Sequence, residues 1–394
     1  MKPSRQQGAV LIMALLIVAL VATLAVSYAG DMLLMQARAE NRVLGAQQNA
    51  YMDGAIALAS FVLEDDAKNG QVDHADEDWT NGQMFPIEGG VLYGTLEDAQ
   101  SKINLNGLSK QLNSNSNPND PNRFDVRQRR FLRFLQTFDG SQVKNPPPDT
   151  QPLVIDQNLA IAITEAVVDW LDDDDNASGF GGAESLQYQQ EGVTWVPPNG
   201  EMQSLEELKL IRHITPEIYE AIKPYLVVLP SNADLNINTL EFEKHGPIIQ
   251  ALNQENSIVP LALQDVQGFD GWRTGMPDGY FSSGADLANQ PDMNALLSGG
   301  TMNPDGLAIS TAYFWLNVEV ELGNRTSNRR ILLNRDQGTI KVLAQYSSGQ
   351  ATSIQALASQ TRPDEDSDSA EDKNDDNRRS VPDEGRDNSE QKRR

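Results

Sequence analysis

Gly8-Ala-Val-Leu-Ile-Met-Ala-Leu-Leu-Ile-Val-Ala-Leu-Val-Ala-Thr-Leu-Ala-Val-Ser-Tyr-Ala-Gly30 decides how this chain is built. From Ala9 to Gly30 the run is uncharged and about 22 residues long. At about 1.5 Å rise per residue that is roughly 33 Å, enough to cross a bilayer core. The short leader before it carries Lys2 and Arg5. Positive charge stays cytoplasmic, so the bulk of the chain is expected on the far side. No A-x-A-like cleavage site with a plainly soluble start follows the run, so an ordinary secretory signal does not explain it.

Beyond the run, Met32, Leu33, Leu34, Met35, Val43, Leu44, Ala50, Ile56, Leu58, Ala59 and Phe61 recur at mixed three- and four-residue steps. No proline interrupts 9–68. This predicts one long helix, half in lipid and half amphipathic in water.

The chain has 394 residues, room for about two or three domains. Its formal charge of −25 argues against nonspecific attraction to nucleic acid or anionic lipid. It has no cysteine, which excludes disulfides, thiolate metal sites and cysteine catalysis. His74, His213 and His245 are too scattered to suggest zinc or a charge-relay triad.

After an acidic stretch over 65–81, Gly89 to Glu97 alternates like a strand, and Ile103 to Leu108 reads as a second short strand or its exit. Phe124 to Phe138 predicts a basic-apolar helix, with Phe131, Leu132, Phe134, Leu135 and Phe138 on one face. Pro146 to Pro148 closes a linker, and Leu159 to Leu171 predicts a helix. Ser204 to Leu226 reads as two helices. The first opens on a Ser204/Glu207 capping box, the second on Thr215-Pro216. Asn238 or Thr239 is expected to cap the next helix. Leu205 to Pro224 resembles DNA-binding helix-hairpin-helix modules, but its hairpin lacks glycine and its surroundings are acidic. Ala312–Leu322, Arg329–Arg335 and Thr339–Tyr346 predict a three-stranded meander.

The predicted fold is α+β. A long N-terminal helix packs on a small antiparallel sheet, and a large all-α domain is inserted between strands. The expected divisions are a leader at 1–8, a membrane helix at 9–30, and helix plus first strands at 31–110. A helical insertion follows at 111–305, closing strands at 306–350, and a charged, disordered tail at 351–394, most polar from Thr361.

The sharpest chemical feature is Asp169-Trp-Leu-Asp-Asp-Asp-Asp-Asn-Ala-Ser-Gly-Phe-Gly-Gly-Ala-Glu184. Four successive aspartates repel one another at a helix C-terminus, where the dipole also disfavours negative charge. A hard cation reverses that penalty, and calcium takes six to eight oxygen ligands. The spacing is not that of an EF-hand. Asp172, Asp174, Asp175 and Glu184 are the candidate ligands, with Asp173 and Asn176 as substitutes; the other reading is a solvated acidic loop.

Several segments together resemble one family. They are the Gly8/Ala9 junction, Leu96-Glu-Asp-Ala-Gln-Ser-Lys-Ile-Asn-Leu-Asn106, Val168-Asp-Trp-Leu-Asp172 with Gly182-Ala-Glu184 and Tyr188, Leu205 to Ile211 with Thr215-Pro-Glu217, and Leu235-Asn-Ile-Asn-Thr239. In order and spacing the chain resembles the K minor pseudopilins of type II secretion systems. The resemblance covers Met1 to about Tyr346. It implies a non-enzymatic, single-pass inner-membrane prepilin, cut between Gly8 and Ala9 by prepilin peptidase and N-methylated. It implies a pilin fold with a helical insertion in the periplasm, a place at the pseudopilus tip, a complex with the I and J minor pseudopilins, and bound calcium.

Pilins usually carry Glu at the fifth mature position, where it can pair with a neighbouring subunit's N-terminal amine; here that position is Met13. A Glu inside the bilayer costs on the order of 3 kcal/mol and is kept only for function. A subunit without it suits the first place in a filament, unless another contact replaces it. A type IV pilus minor pilin with an adhesive head, or a membrane-tethered enzyme, are the alternative readings.

Overall fold

In a computed structural model, residues 6–347 are described, apart from 114–116, 118, 141–151 and 298. The expected linker prolines Pro146 to Pro148, most of the leader and the charged tail lie outside the described residues.

Helix α1 runs unbroken over Gln6–Asn69. Its apolar first half is exposed along its whole length, Val10 to Val26 included. Among the described residues it is the one helix long and apolar enough to cross a membrane. Burial begins at Gln48, whose side-chain amide donates to the carbonyls of Val320 and Arg325. Met52, Ala55, Ala59 and Leu63 then follow at three- and four-residue steps, all buried. That spacing is one helical face, and it is the face the sheet covers.

The sheet has five strands: β1 (Gln83–Ile87), β2 (Gly90–Asp98), β3 (Tyr313–Leu322), β4 (Arg325–Asp336) and β5 (Thr339–Ser347). They pair antiparallel in sequence order. The predicted meander is β3–β5. β1 escaped the sequence reading, because Pro86 breaks its pattern and it alternates over only five residues. Strand alternation sends Phe314, Leu316, Val318, Val320 and Leu322 to α1, with Leu92, Ile331 and Leu333 beside them. Trp79 meets Phe314 edge-on at 5.3 Å and closes this core. Leu63 is fully buried there. Leu63→Ala should therefore destabilise the protein by about 2–5 kcal/mol, read as a lowered urea midpoint with an unchanged slope.

Between β2 and β3 the chain builds a second core from Ile103 to Met302. Both cores lie in one compact unit, residues 1–349. Helices α2 (Val126–Gln136) and α3 (Gln157–Leu171) form its centre, followed by α4 (Ser185–Gln190), α5 (Pro216–Ile222) and α6 (Phe242–Gln250). The expected apolar face of α2 is buried. So are Arg129, Arg130 and Arg133 on its other sides. Arg133 donates to the carbonyls of Ala251, Asn253 and Ser257 just after α6, and Arg130 to those of Asp305 and Gly306. The guanidinium forks thereby bind backbone carbonyls far away in sequence and hold those segments to α2.

The Ser204/Glu207 box is present, but Leu205–Leu210 is a 3-10 helix rather than an α-helix. Thr215 caps α5, with Pro216 at its first position, as expected. Neither Asn238 nor Thr239 caps α6, which starts after Glu241. Asn238 instead exchanges hydrogen bonds with the backbone of Phe281, and Thr239 donates to buried Asp98. The Asn238 pair braces the insertion internally, and the Thr239–Asp98 bond ties it to the end of β2.

Candidate metal centre

Helix α3 is started by Asp156, whose carboxylate accepts from the N–H of Leu159 at 2.8 Å. It ends at Leu171, and Asp172 is its C-cap, in extended backbone. Glu165, Asp169 and Asp172 follow at steps of four and three residues, so one helical face aims three carboxylates at the following loop. The first two are clamps. Asp169 is fully buried and accepts the Ser178 N–H with both oxygens, at 3.1 and 3.0 Å. Glu165 accepts the Gly181 N–H at 2.6 Å and is paired with buried Arg123.

Glycines make this clamping possible. A Cβ on Gly181 would stand 2.2 Å from the Ala162 Cα, and one on Gly182 would stand 2.3 Å from an Asp169 carboxylate oxygen. Gly181→Ala should push the loop off α3. The expected readout is faster amide exchange over 178–184 while the sheet residues keep their protection.

The clamped loop brings Glu184 back beside Asp172. Both are buried, 1% and 6% exposed. Among the described residues Asp172 Oδ1 and both oxygens of Glu184 are buried without a hydrogen-bond partner. Burial, reinforced by neighbouring carboxylates with Asp169 foremost, pushes Asp172 up to about 7 and Glu184 up to about 8. Asp174 and Asp175 stand at the rim. Asp174 accepts from the Gln111 amide and from the Asn176 N–H, and Asp175 accepts from the Asn199 amide at 3.2 Å. Asp173 and Asn176 are exposed.

Asn199 was not among the sequence candidates. Its amide nitrogen holds the Asp174 carbonyl at 2.7 Å, and its Oδ1 is a further buried oxygen without a partner. Its backbone sits at φ +48°, a conformation asparagine tolerates better than most residues. The Asn-Gly pair at Asn199-Gly200 was the available signal, but it reads first as a turn. Asp172, Glu184 and Asn199 together carry four buried oxygens without a hydrogen-bond partner. Three are carboxylate oxygens and one is an amide oxygen, the donor type that a hard cation takes.

A second acidic group joins Asp66, Asp73 and Glu77, whose carboxylate oxygens lie within 4.8 Å of one another. Here each carboxylate has a partner. Arg335 of β4 spans Asp66 and Asp73, at 2.8 and 2.5 Å, and the Trp79 indole N–H donates to Glu77. This group locks the end of α1 to the sheet.

The chain resembles known proteins along most of its length. The family model for type II secretion system protein K matches residues 101–231, which include α2, α3 and the whole acidic loop. Type II secretion system protein K of Pectobacterium carotovorum subsp. carotovorum is 27% identical, over 89% of this chain and 98% of that protein. The Aeromonas hydrophila protein of the same description is 30% identical, over 62% of this chain and 70% of its own length. Among solved structures, a chain in the crystal structure of the GspK-GspI-GspJ complex from the enterotoxigenic Escherichia coli type 2 secretion system superposes with a TM-score of 0.60 at 20% identity. It covers 79% of this chain and all of that one. That likeness bears out the α+β fold of long helix, antiparallel sheet and helical insertion. With the carboxylate-lined loop falling inside the matched region, and a relative 30% identical over 70% of its own length, the chain belongs to the type II secretion system protein K family.

Proposed function

We propose that this chain is a minor pseudopilin that occupies the tip of the periplasmic pseudopilus and starts or caps its assembly. The observation carrying this reading is architectural. Some two hundred residues are inserted between β2 and β3 of a sheet that rides on the C-terminal half of α1. A head of that size on the end of the helix away from the apolar run obstructs a further subunit above it. Met13 in place of an intramembrane carboxylate agrees, since a leading subunit has none ahead to engage. The role is structural rather than catalytic.

Under this reading α1 is a single-pass anchor in the inner membrane, and the rest lies in the periplasm. Prepilin peptidase cuts between Gly8 and Ala9, and the new N-terminus is methylated. The partners are the I and J minor pseudopilins, the assembly in which the structural relative was crystallised. Asp172, Glu184 and Asn199, with Asp174 and Asp175 at the rim, hold calcium. The ion supplies the positive charge that this end of α3 lacks.

The test is copurification. The chain, produced with the I and J pseudopilins of the same secretion system, is expected to elute with both as one complex. Elution alone, with I and J recovered as a separate pair, would remove the tip assignment. Binding instead to a type IV pilus major pilin would favour an adhesive minor pilin.

A further inference from the structure

A cavity of about 440 Å³ lies at the seam between the pilin-like sheet and the helical insertion. Three segments distant in sequence make its floor. The buried Gln100 side chain accepts from Thr311 Oγ1 at 2.9 Å and from the Ala312 N–H at 2.6 Å, and it donates to the Asp234 carbonyl at 2.6 Å. Arg335 is held by Asp66, Asp73 and the Thr311 carbonyl. The floor is therefore fixed before anything binds, which lowers the ordering cost of a ligand.

The mouth differs from the floor. Gln71, Asn232, Ser310 and Gln337 surround it and are exposed. None of their side chains has a hydrogen-bond partner among the described residues. Gln337 and Gly338 stand there on the tight β4–β5 turn, at φ +50° and +78°. The half-buried ring of Tyr313 and the methyl groups of Ala67, Ala233 and Ala312 add apolar wall.

The charge pattern narrows the ligand. Arg335 is the one charged residue lining the cavity, and two carboxylates already neutralise it. An anion would meet Asp66 and Asp73 behind that arginine, and a cation would have to displace it. What remains is a neutral molecule rich in hydroxyl or amide groups, with an apolar face for Tyr313 and the alanines. Amides and hydroxyls around an aromatic ring match a pyranose, whose equatorial hydroxyls are polar and whose ring C–H face is not. A cavity of this volume falls in the ordinary range for small-ligand sites and admits about one or two sugar rings.

We propose that this seam cavity is a binding site for a short neutral saccharide, engaged by the amides of Gln71, Asn232 and Gln337 and the hydroxyl of Ser310. The site is separate from the acidic loop and needs no metal ion.

Saturation-transfer NMR tests it. Full-length protein is prepared in a detergent without a sugar headgroup, with N,N′-diacetylchitobiose and maltose as probes. Transfer to the ring protons of at least one disaccharide is expected. Ser310→Trp, which fills the mouth with an indole, should abolish it. Asn232→Ala combined with Gln337→Ala removes two exposed amides, so folding is spared. This variant should cut the transfer several-fold with an unchanged melting temperature. No transfer to either sugar, or transfer undiminished in the double variant, would overturn the proposal.

Discussion

Calcium should raise the melting temperature of the protein by about 5–10 °C at pH 8, and a chelator should reverse the change. A ligand that binds only the folded state stabilises it by about 2.7 kcal/mol at a hundredfold excess over Kd. For a unit of this size each kcal/mol is worth roughly 2–4 °C. The structure provides the reason for a large response. Glu184 has two buried oxygens without partners, Asp172 has one, and the end of α3 adds its own negative potential. Without an ion, these groups relieve the cost by keeping protons. The folded carboxyls sit at about 7 and about 8, against about 4 in the unfolded chain.

Between those limits the folded state holds more protons than the unfolded one. Stability without metal therefore falls as pH rises from about 4 towards 8, and the cost is complete once both groups have ionised. Calcium replaces the protons, so its stabilising effect should shrink at pH 5.5 and grow at pH 8, with proton release on binding. Asp172→Asn with Glu184→Gln should raise the metal-free melting temperature at pH 8 and remove the calcium response. Equal melting temperatures in calcium and chelator at pH 8 would sink the site.

Gly8→Val should abolish N-terminal processing and, with it, secretion through this system. Helix α1 already includes Gln6 and Gly8, so the Gly8–Ala9 peptide lies within a helical first turn. A peptidase must open that turn to reach the bond. Glycine eases the opening, because it is about 1 kcal/mol less favourable than alanine in a helix. Valine resists it and adds a branched side chain beside the scissile carbonyl. The mass of the N-terminal peptide from membrane-extracted protein measures this. Wild type is expected to begin at Ala9, methylated, and only where the peptidase is present. The variant is expected to begin at Met1. A wild-type chain that keeps Met1 with the peptidase present would end the prepilin reading.

Local periodicity carried much of the fold. Apolar steps of three and four residues gave α1, α2 and α3, and two-residue alternation gave β2 and the β3–β5 meander. Both patterns survive because one face of each element is buried against a single partner layer. Where burial is all-round, the pattern misled. Arg130 and Arg133 of α2 look solvated in sequence, yet they are consumed by carbonyls that lie more than a hundred residues away. At Leu205–Leu210 the capping box was legible, but the type of helix was not. A box fixes where a turn begins, and packing decides how tightly it winds.

The acidic loop divides the same way. Its four aspartates, its glycines and Glu184 announce a charge problem in sequence, and that much is local. Which oxygens remain without partners is not local. Both oxygens of Asp169 are taken by Ser178, and Asn199 reaches the loop only because the chain returns 27 residues after Asp172. By itself the sequence determined the membrane-length helix, four of the five sheet strands and the place of the acidic loop, because hydrophobic spacing and charge runs act between near neighbours. Only the tertiary structure decided which acidic-loop oxygens are left without partners, the Arg335 lock and the seam cavity, because each depends on groups that folding brings together from distant segments.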